Sequence, residues 1–349
     1  MAVTLRDVAR LAGVSSATAS RALDPSASAA TETRDRVMAA AAELGYIGNT
    51  VARSLRTSRT DTIGLLVPDV RNPFFTDLAY AIDKAATEVG LTVMMGSADE
   101  DGDAQDRYLV ALERHRVDGL LVVPQGGPRP MLQRIVRAFP TVAIDRDADL
   151  GVPVVSSDSG GGMRALIDHV ISLGHRRVAV VAGPQSTSTG RERLSAAREQ
   201  LREHGLCLAP GDVVEGDFQL GSGLRAARTL LAATPPPDVI IAADALMALG
   251  VLTVLRERGL RLGTDVGVAA FDDNPWFAVL DTPVTVVAQD TARLGRQAVE
   301  ALLARIAGRE VEPSPVPTTL VVRSSLGEAA RHGDPHFTPA ARTKEDIHG

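Results

Sequence analysis

The 349-residue chain lacks the residues that several common protein classes need. It has a single cysteine, Cys207, so no internal disulfide can form and a thiolate-built metal site is excluded. Aromatic residues make up only 3% of it, so each one placed in a loop rather than in a core carries information. No apolar run reaches the ~18 residues of a membrane span. The opening MAVTLRDVARLAG has no basic patch, apolar stretch or cleavage site of an export signal, which leads us to expect a cytoplasmic protein. Catalytic signatures are missing too. There is no G-x-S-x-G elbow, no P-loop and no H-E-x-x-H, and GPQSTSTG at 183–190 lacks the Gly-Lys-Ser/Thr ending of a phosphate loop. The histidines at 115, 169, 175, 204, 332, 336 and 348 form no metal-ligand pair on one helix face. We therefore expect no catalysis, no metal and no cofactor.

What is present is uneven in charge. Residues 1–59 carry eight arginines and no lysine against five acids, a net +3, while the remainder carries −9. A basic head on an acidic body suggests that only the head meets a polyanion. Overall, 45% of residues are hydrophobic and 23% charged, as in a globular protein, and the length allows two or three domains.

The head reads as three short helices. Thr4-Leu5-Arg6-Asp7 has the form of a capping box, with Leu5, Val8, Ala9 and Ala12 following at helical spacing. Gly13 can end that helix in the left-handed conformation. Ser15 can cap a second helix in which Ala19, Ala22 and Leu23 pack closely, and Pro25 ends it. Thr31 or Thr33 can cap a third, with Val37, Ala40, Ala41 and Leu44 on one face and Gly45 at its end. Two helices around a tight turn, closed by a third, make a helix-turn-helix unit, although spacing alone leaves a protein-binding helical domain open.

From Thr62 onward the pattern changes. Apolar runs of strand length (TIGLLVPDV, LTVMMGSA, GLLVVPQ, TVAIDRD, RVAVVAGP, DVIIAAD, DVGVAAFDD) alternate with helical stretches at 75–89, 105–116, 160–173, 191–204, 221–233, 245–258 and 291–308. Such alternation implies parallel sheets covered on both faces by helices, with ligands at the strands' C-terminal ends. The final HGDPHFTPAARTKEDIHG has no periodicity and no leucine heptad.

The segment TLRDVARLAGVSSATASRAL resembles the head of the lactose-repressor (LacI) family of bacterial transcription regulators, and the likeness continues over most of the chain. Ala19 stands where the family usually has Val, Asp24 where it has Asn, and Gly48 where many members have Pro. The resemblance implies an all-α helix-turn-helix domain at 1–48 and a hinge helix at 49–59. It also implies an α/β periplasmic-binding-protein-like core at 60–329, made of two doubly wound parallel-sheet subdomains (60–159 with 287–321, and 160–286 with 322–329), and a tail at 330–349. Crossings between subdomains are expected near 158–162, 284–289 and 320–323.

By the same resemblance, Ser16, Ala17 and Arg21 occupy base-reading positions. Arg21 can bond guanine O6 and N7, or can make only a phosphate contact. Thr4, Ser15, Thr18, Ser20 and Thr33 are candidates for phosphate contact, with capping an equal alternative for Ser15 and Thr18. Asn49, Ala52, Arg53 and Leu55 fall in the hinge, where Leu55 would wedge into the minor groove. The expected partners are a near-palindromic operator in double-stranded DNA and a second copy of the chain.

The effector site most resembles that of ribose-binding proteins and ribose repressors. It falls on Asn72, Phe74, Phe75, Asp145, Arg146, Arg193, Phe218, Asp244, Asp272 and Gln289. Planar Asp, Asn, Gln and Arg groups pair with adjacent sugar hydroxyls while aromatic faces cover the ring. Core packing is the alternative for Phe75 and Phe218, and a structural ion pair for Asp145–Arg146. Asp244 replaces the usual Asn, Ala245 the usual Asp, and Ala196-Ala197 a Gly-aromatic pair. Because an ionised Asp cannot donate, its partner must donate to it or carry a cation. A ribose-like sugar effector is expected, with a nucleoside or purine corepressor as the alternative. A sugar carrier without a DNA-binding role is a third reading.

Overall fold

The computed structural model describes residues 3–23, 27–46 and 59–327. The hinge residues Asn49, Ala52, Arg53 and Leu55, together with Asp24 and the tail, lie outside the described residues. The chain divides into two units, residues 1–60 and 61–349.

The first unit contains α1 (Leu5–Leu11), α2 (Ser16–Ala22) and α3 (Thr31–Glu43). The Asp7 carboxylate accepts from both the backbone N–H (3.0 Å) and the hydroxyl (2.7 Å) of Thr4, which fixes the start of α1. Gly13, at φ +65°, turns the chain after α1, and the Val14 N–H reaches back to the Ala9 carbonyl at 3.0 Å. Ser15 caps α2 by accepting from the Thr18 N–H at 3.1 Å. The third helix departs from expectation. Neither Thr31 nor Thr33 caps it: its N-cap is Ala30, which has no acceptor, and Thr31 is already helical. Arg34 braces the entry instead, donating to the Ala27 carbonyl at 2.7 Å. The core is Val8, Ala9, Ala12, Ala19, Ala22, Val37, Ala40 and Ala41.

The second unit holds two sheets wound alike. The first has the order β2-β1-β3-β4-β5, from β1 (Thr62–Val67), β2 (Thr92–Ser97), β3 (Gly119–Val122), β4 (Thr141–Ile144) and β5 (Val154–Val155). The second has the order β11-β10-β9-β8-β6-β7, from β6 (Val178–Ala182), β7 (Val213–Glu215), β8 (Val239–Ala242), β9 (Gly267–Phe271), β10 (Thr285–Ala288) and β11 (Thr319–Val321). All pairs are parallel except the antiparallel edge pair β10–β11. The central strands are buried throughout, apart from Thr62 at the start of β1, as strands covered on both faces must be.

The connecting helices are α4 (Pro73–Glu88), α5 (Gly102–Arg114), α6 (Pro130–Ala138), α7 (Ser159–Ser172), α8 (Ser188–Glu203), α9 (Leu220–Leu230), α10 (Ala245–Glu257), α11 (Pro275–Ala278) and α12 (Thr291–Ile306). Periodicity did not single out α6, where only Leu132 and Ile135 are buried.

The chain passes between the halves three times. After β5 it enters α7, whose Met163, Leu166, Ile167 and Val170 pack against β6, β8 and β9. After β10 it enters α12, which returns Leu294, Ala298, Val299 and Leu302 to the core under β1. Val316 still packs in that core and bridges Ser157, whereas β11 belongs to the second sheet, so the third passage falls at 317–318, ahead of the expected 320–323.

Candidate functional site

The C-terminal ends of both sheets converge on one cavity with about 240 Å³ of empty space, part of it open to solvent. All ten residues picked for ring hydroxyls and ring faces line it, joined by Thr189. From the first sheet come Asn72, Phe74 and Phe75 after β1, and Asp145 and Arg146 after β4. From the second come Thr189 and Arg193 on α8, Phe218 after β7, Asp244 after β8, Asp272 after β9 and Gln289 after β10.

Local geometry aims these groups. Asn72 is the N-cap of α4 and Asp244 the N-cap of α10; their oxygens accept from the N–H of Phe74 (3.1 Å) and Met247 (2.8 Å). Asp145, Phe218 and Asp272 have left-handed backbones, with φ of 63°, 60° and 71°. Each such residue costs on the order of 1–2 kcal/mol unless its surroundings fix it. For Phe218 the reason is visible: its ring lies over Gly183, where an added Cβ would sit 2.3 Å from the ring edge. Phe74 and Phe75 meet edge to face at 5.0 Å, and the Arg146 guanidinium sits 5.8 Å from the Phe75 ring and 5.2 Å from Phe218.

The alternative of a structural Asp145–Arg146 ion pair is present only as a loose contact. The terminal nitrogens of Arg146 bond both oxygens of Glu100, at 2.7 and 2.6 Å, while Asp145 stands 3.8 Å from the Arg146 Nε. Arg193 lies 3.7 Å from the Phe271 ring centre and donates to the Ala243 carbonyl (2.7 Å) and Ser159 Oγ (3.3 Å). Gln289 Nε2 donates to Asp272 at 2.5 Å. Burial pushes the Asp244 carboxyl up to about 7, and the nearby Asp272 charge adds to this against the opposing Met247 N–H. Burial also pushes Asp272 up to about 6, and raises Asp145 despite the opposing arginines.

Four hydrogen bonds among the described residues span the cleft. Asn72 Nδ2 donates to Asp244 Oδ2 at 3.2 Å, Gln219 Nε2 to Asp69 Oδ2 at 2.9 Å, Arg71 Nη2 to Gln219 Oε1 at 3.4 Å, and the Asp147 N–H to Ser188 Oγ at 2.9 Å. Burial alone would raise Asp69, but the bonds from Arg71 and Gln219 outweigh it and hold its carboxyl below the usual range. Glu100, Thr189, Asp69 and Gln219 carry no motif that marks them in the sequence. Glu100 sits in an acidic stretch that reads as a solvated turn, and only its left-handed φ of 54° and the distant Arg146 mark it.

On the first unit, Thr4, Ser15, Ser16, Ala17 and Arg21 are exposed, and Thr18, Ser20 and Thr33 are half-buried. Ala17 and Arg21 share one face of α2, while Ala19 and Ala22 turn to the core. The Ser15 and Thr18 hydroxyls bond each other at 2.9 Å, so both take part in the cap.

Two family descriptions match the chain: "Bacterial regulatory proteins, lacI family" over residues 4–49, and "Periplasmic binding protein-like domain" over 167–326. The HTH-type transcriptional regulator CelR of Thermobifida fusca is 36% identical over 92% of this chain and 98% of its own. The ribose operon repressor of Halalkalibacterium halodurans is 32% identical over 92% of this chain and 96% of its own. The chain belongs to the LacI family. The lac repressor dimer, solved with operator and the anti-inducer ONPF, superposes with a TM-score of 0.83 at 28% identity, over 94% of this chain and all of that one. Like its LacI-family relatives, the protein is a DNA-binding transcriptional regulator, not an enzyme. Among the described residues no helix is long and apolar enough to cross a membrane.

Proposed function

We propose that this LacI-family regulator acts as a cytoplasmic homodimeric repressor whose cleft takes a ribose-like, monosaccharide-sized sugar. The observation that carries the effector reading is the meeting of ten hydroxyl-pairing and ring-covering residues, drawn from six strand ends and helix α8, on one cavity.

In this reading α2 enters the major groove, with Ser16, Ala17 and Arg21 at the base edges. Thr4, Ser20 and Thr33, with Ser15 and Thr18 through their cap, contact phosphates. Asn49, Ala52, Arg53 and Leu55, which lie outside the described residues, are the hinge candidates for DNA contact, with Leu55 as the minor-groove wedge. Dimerisation is supported by two exposed apolar groups. Tyr80, Met95 and Tyr108 surround the edge strand β2; Trp276, Val279 and Leu280 sit between β9 and β10. The ligand stabilises the closed cleft, and closure and DNA affinity are coupled reciprocally.

The test is operator binding by the full chain with and without sugars that raise its melting temperature. A sugar that shifts the midpoint and also changes operator affinity supports the reading. A sugar that stabilises the protein without any change in DNA affinity would overturn the regulatory role of the cavity.

A further inference from the structure

The charges around the cavity do not balance. Asp145, Asp244 and Asp272 are all more than nine-tenths buried there. Of the two guanidiniums beside them, Arg146 is already neutralised by its two-point pair with Glu100. Arg193 makes its bonds to a backbone carbonyl and a serine hydroxyl. Three buried carboxylates therefore face one uncommitted cation.

The hydrogen-bond inventory points the same way independently. Asp145 accepts no hydrogen bond among the described residues, and its nearest cationic atom is 3.8 Å away. The buried Gln289 Oε1 has no partner either. Asp244 is held as an acceptor on both oxygens, by the Met247 N–H and by Asn72 Nδ2, a geometry that suits the ionised form. The walls thus offer more acceptors than donors, and a buried carboxylate without a donor is costly. The upward displacement of Asp244 and Asp272 is the expected mark of negative charge that this cavity leaves uncompensated.

We propose that the effector is an aminated monosaccharide, its ammonium group seated against Asp244 and Asp272 and its hydroxyls donating to Asp145 and Gln289. This rests on the reading of the cavity as the effector site. A neutral sugar supplies donors but leaves the charge excess; an ammonium group supplies both the donors and the missing cation. The Phe74, Phe75 and Phe218 rings remain for the apolar face of the ring.

The experiment uses the full chain at neutral pH, with thermal shift and calorimetric titration. The probes are D-glucosamine, D-galactosamine and D-mannosamine, each beside its neutral parent hexose, and D-ribose. At least one aminated sugar should bind ten-fold or more tightly than its parent. Asp244→Asn, which keeps an oxygen to cap α10, should erase or reverse that preference. The inference is overturned if ribose or a neutral hexose binds the wild type as tightly as the best amino sugar, or if the preference survives Asp244→Asn. In that case the cavity remains an effector site. Binding by no probe of either kind overturns the effector reading as well.

Discussion

Asn72 and Asp244 each cap a helix on opposite sides of the cleft, and the amide of one donates to the carboxylate of the other at 3.2 Å. One side chain thus serves as local cap and as cross-cleft tie. Replacing Asn72 with Asp preserves the cap oxygen but sets two carboxylates against each other. We expect Asn72→Asp to keep the helix content of the wild type, to open the cleft by small-angle scattering, and to weaken effector binding at least ten-fold. Wild-type scattering and affinity would show that the tie contributes nothing.

The same carboxylate predicts a pH dependence. Asp244 is raised from 3.8 to about 7, and Asp272 from 3.8 to about 6, so the folded state binds protons that the unfolded chain has released. Their contribution to stability is complete below about pH 4 and is lost as pH rises through 6 and 7. It amounts to on the order of a few kcal/mol. The ligand-free melting temperature should fall between pH 5.5 and 8, and Asp244→Asn should flatten the slope. A wild-type profile that is flat, or that rises with pH, contradicts the assignment.

Gly183 tests the aromatic wall. An alanine there would put its Cβ 2.3 Å from the Phe218 ring, which would have to swing away from Arg146. Overpacking of this kind costs about 1–3 kcal/mol. Gly183→Ala should lower both stability and effector affinity. Gly127→Ala, where the added Cβ meets nothing within 4 Å, serves as the control and should leave both unchanged.

Arg21→Ala addresses the DNA face. A guanine contact by Arg21 is worth about 1–3 kcal/mol of discrimination, or roughly five- to 160-fold in affinity. Binding to operators varied one base pair at a time should relax at one position per half-site. A uniform loss at every position would assign Arg21 to phosphate instead, and the salt dependence would then weaken by about one counterion.

Much of this molecule was legible because its strands are long, apolar and bounded. The runs beginning at Thr62, Gly119, Asp238 and Asp265 hold buried central strands. The two- and three-residue strands β5, β7 and β11 are too short to show a period. The helix α6 carries Leu132 and Ile135 at helical spacing, but at nine residues it is shorter than the helical runs that the sequence displays beyond Thr62. At the cavity, residues that follow strands in fixed order were readable. Partners brought in from far along the chain were not: Gln219 meets Asp69 across 150 positions, and Glu100 meets Arg146 across 46. The start of α3 is not legible in the sequence because Thr31 looks like a cap, while the chain enters one residue earlier at Ala30.

The head's core has a thermal consequence. Six of its eight buried residues are alanine and the other two are valine, so the helices approach closely but remove little apolar surface from water. Each methyl-sized group adds only about 0.8 kcal/mol, against a chain-ordering cost that grows with every residue. A calorimetric scan of the full chain should therefore resolve two heat-absorption peaks. The smaller would come first and belong to the head, and operator DNA would shift it upward. The larger unit would give the later one, which the effector, and not the DNA, would move most.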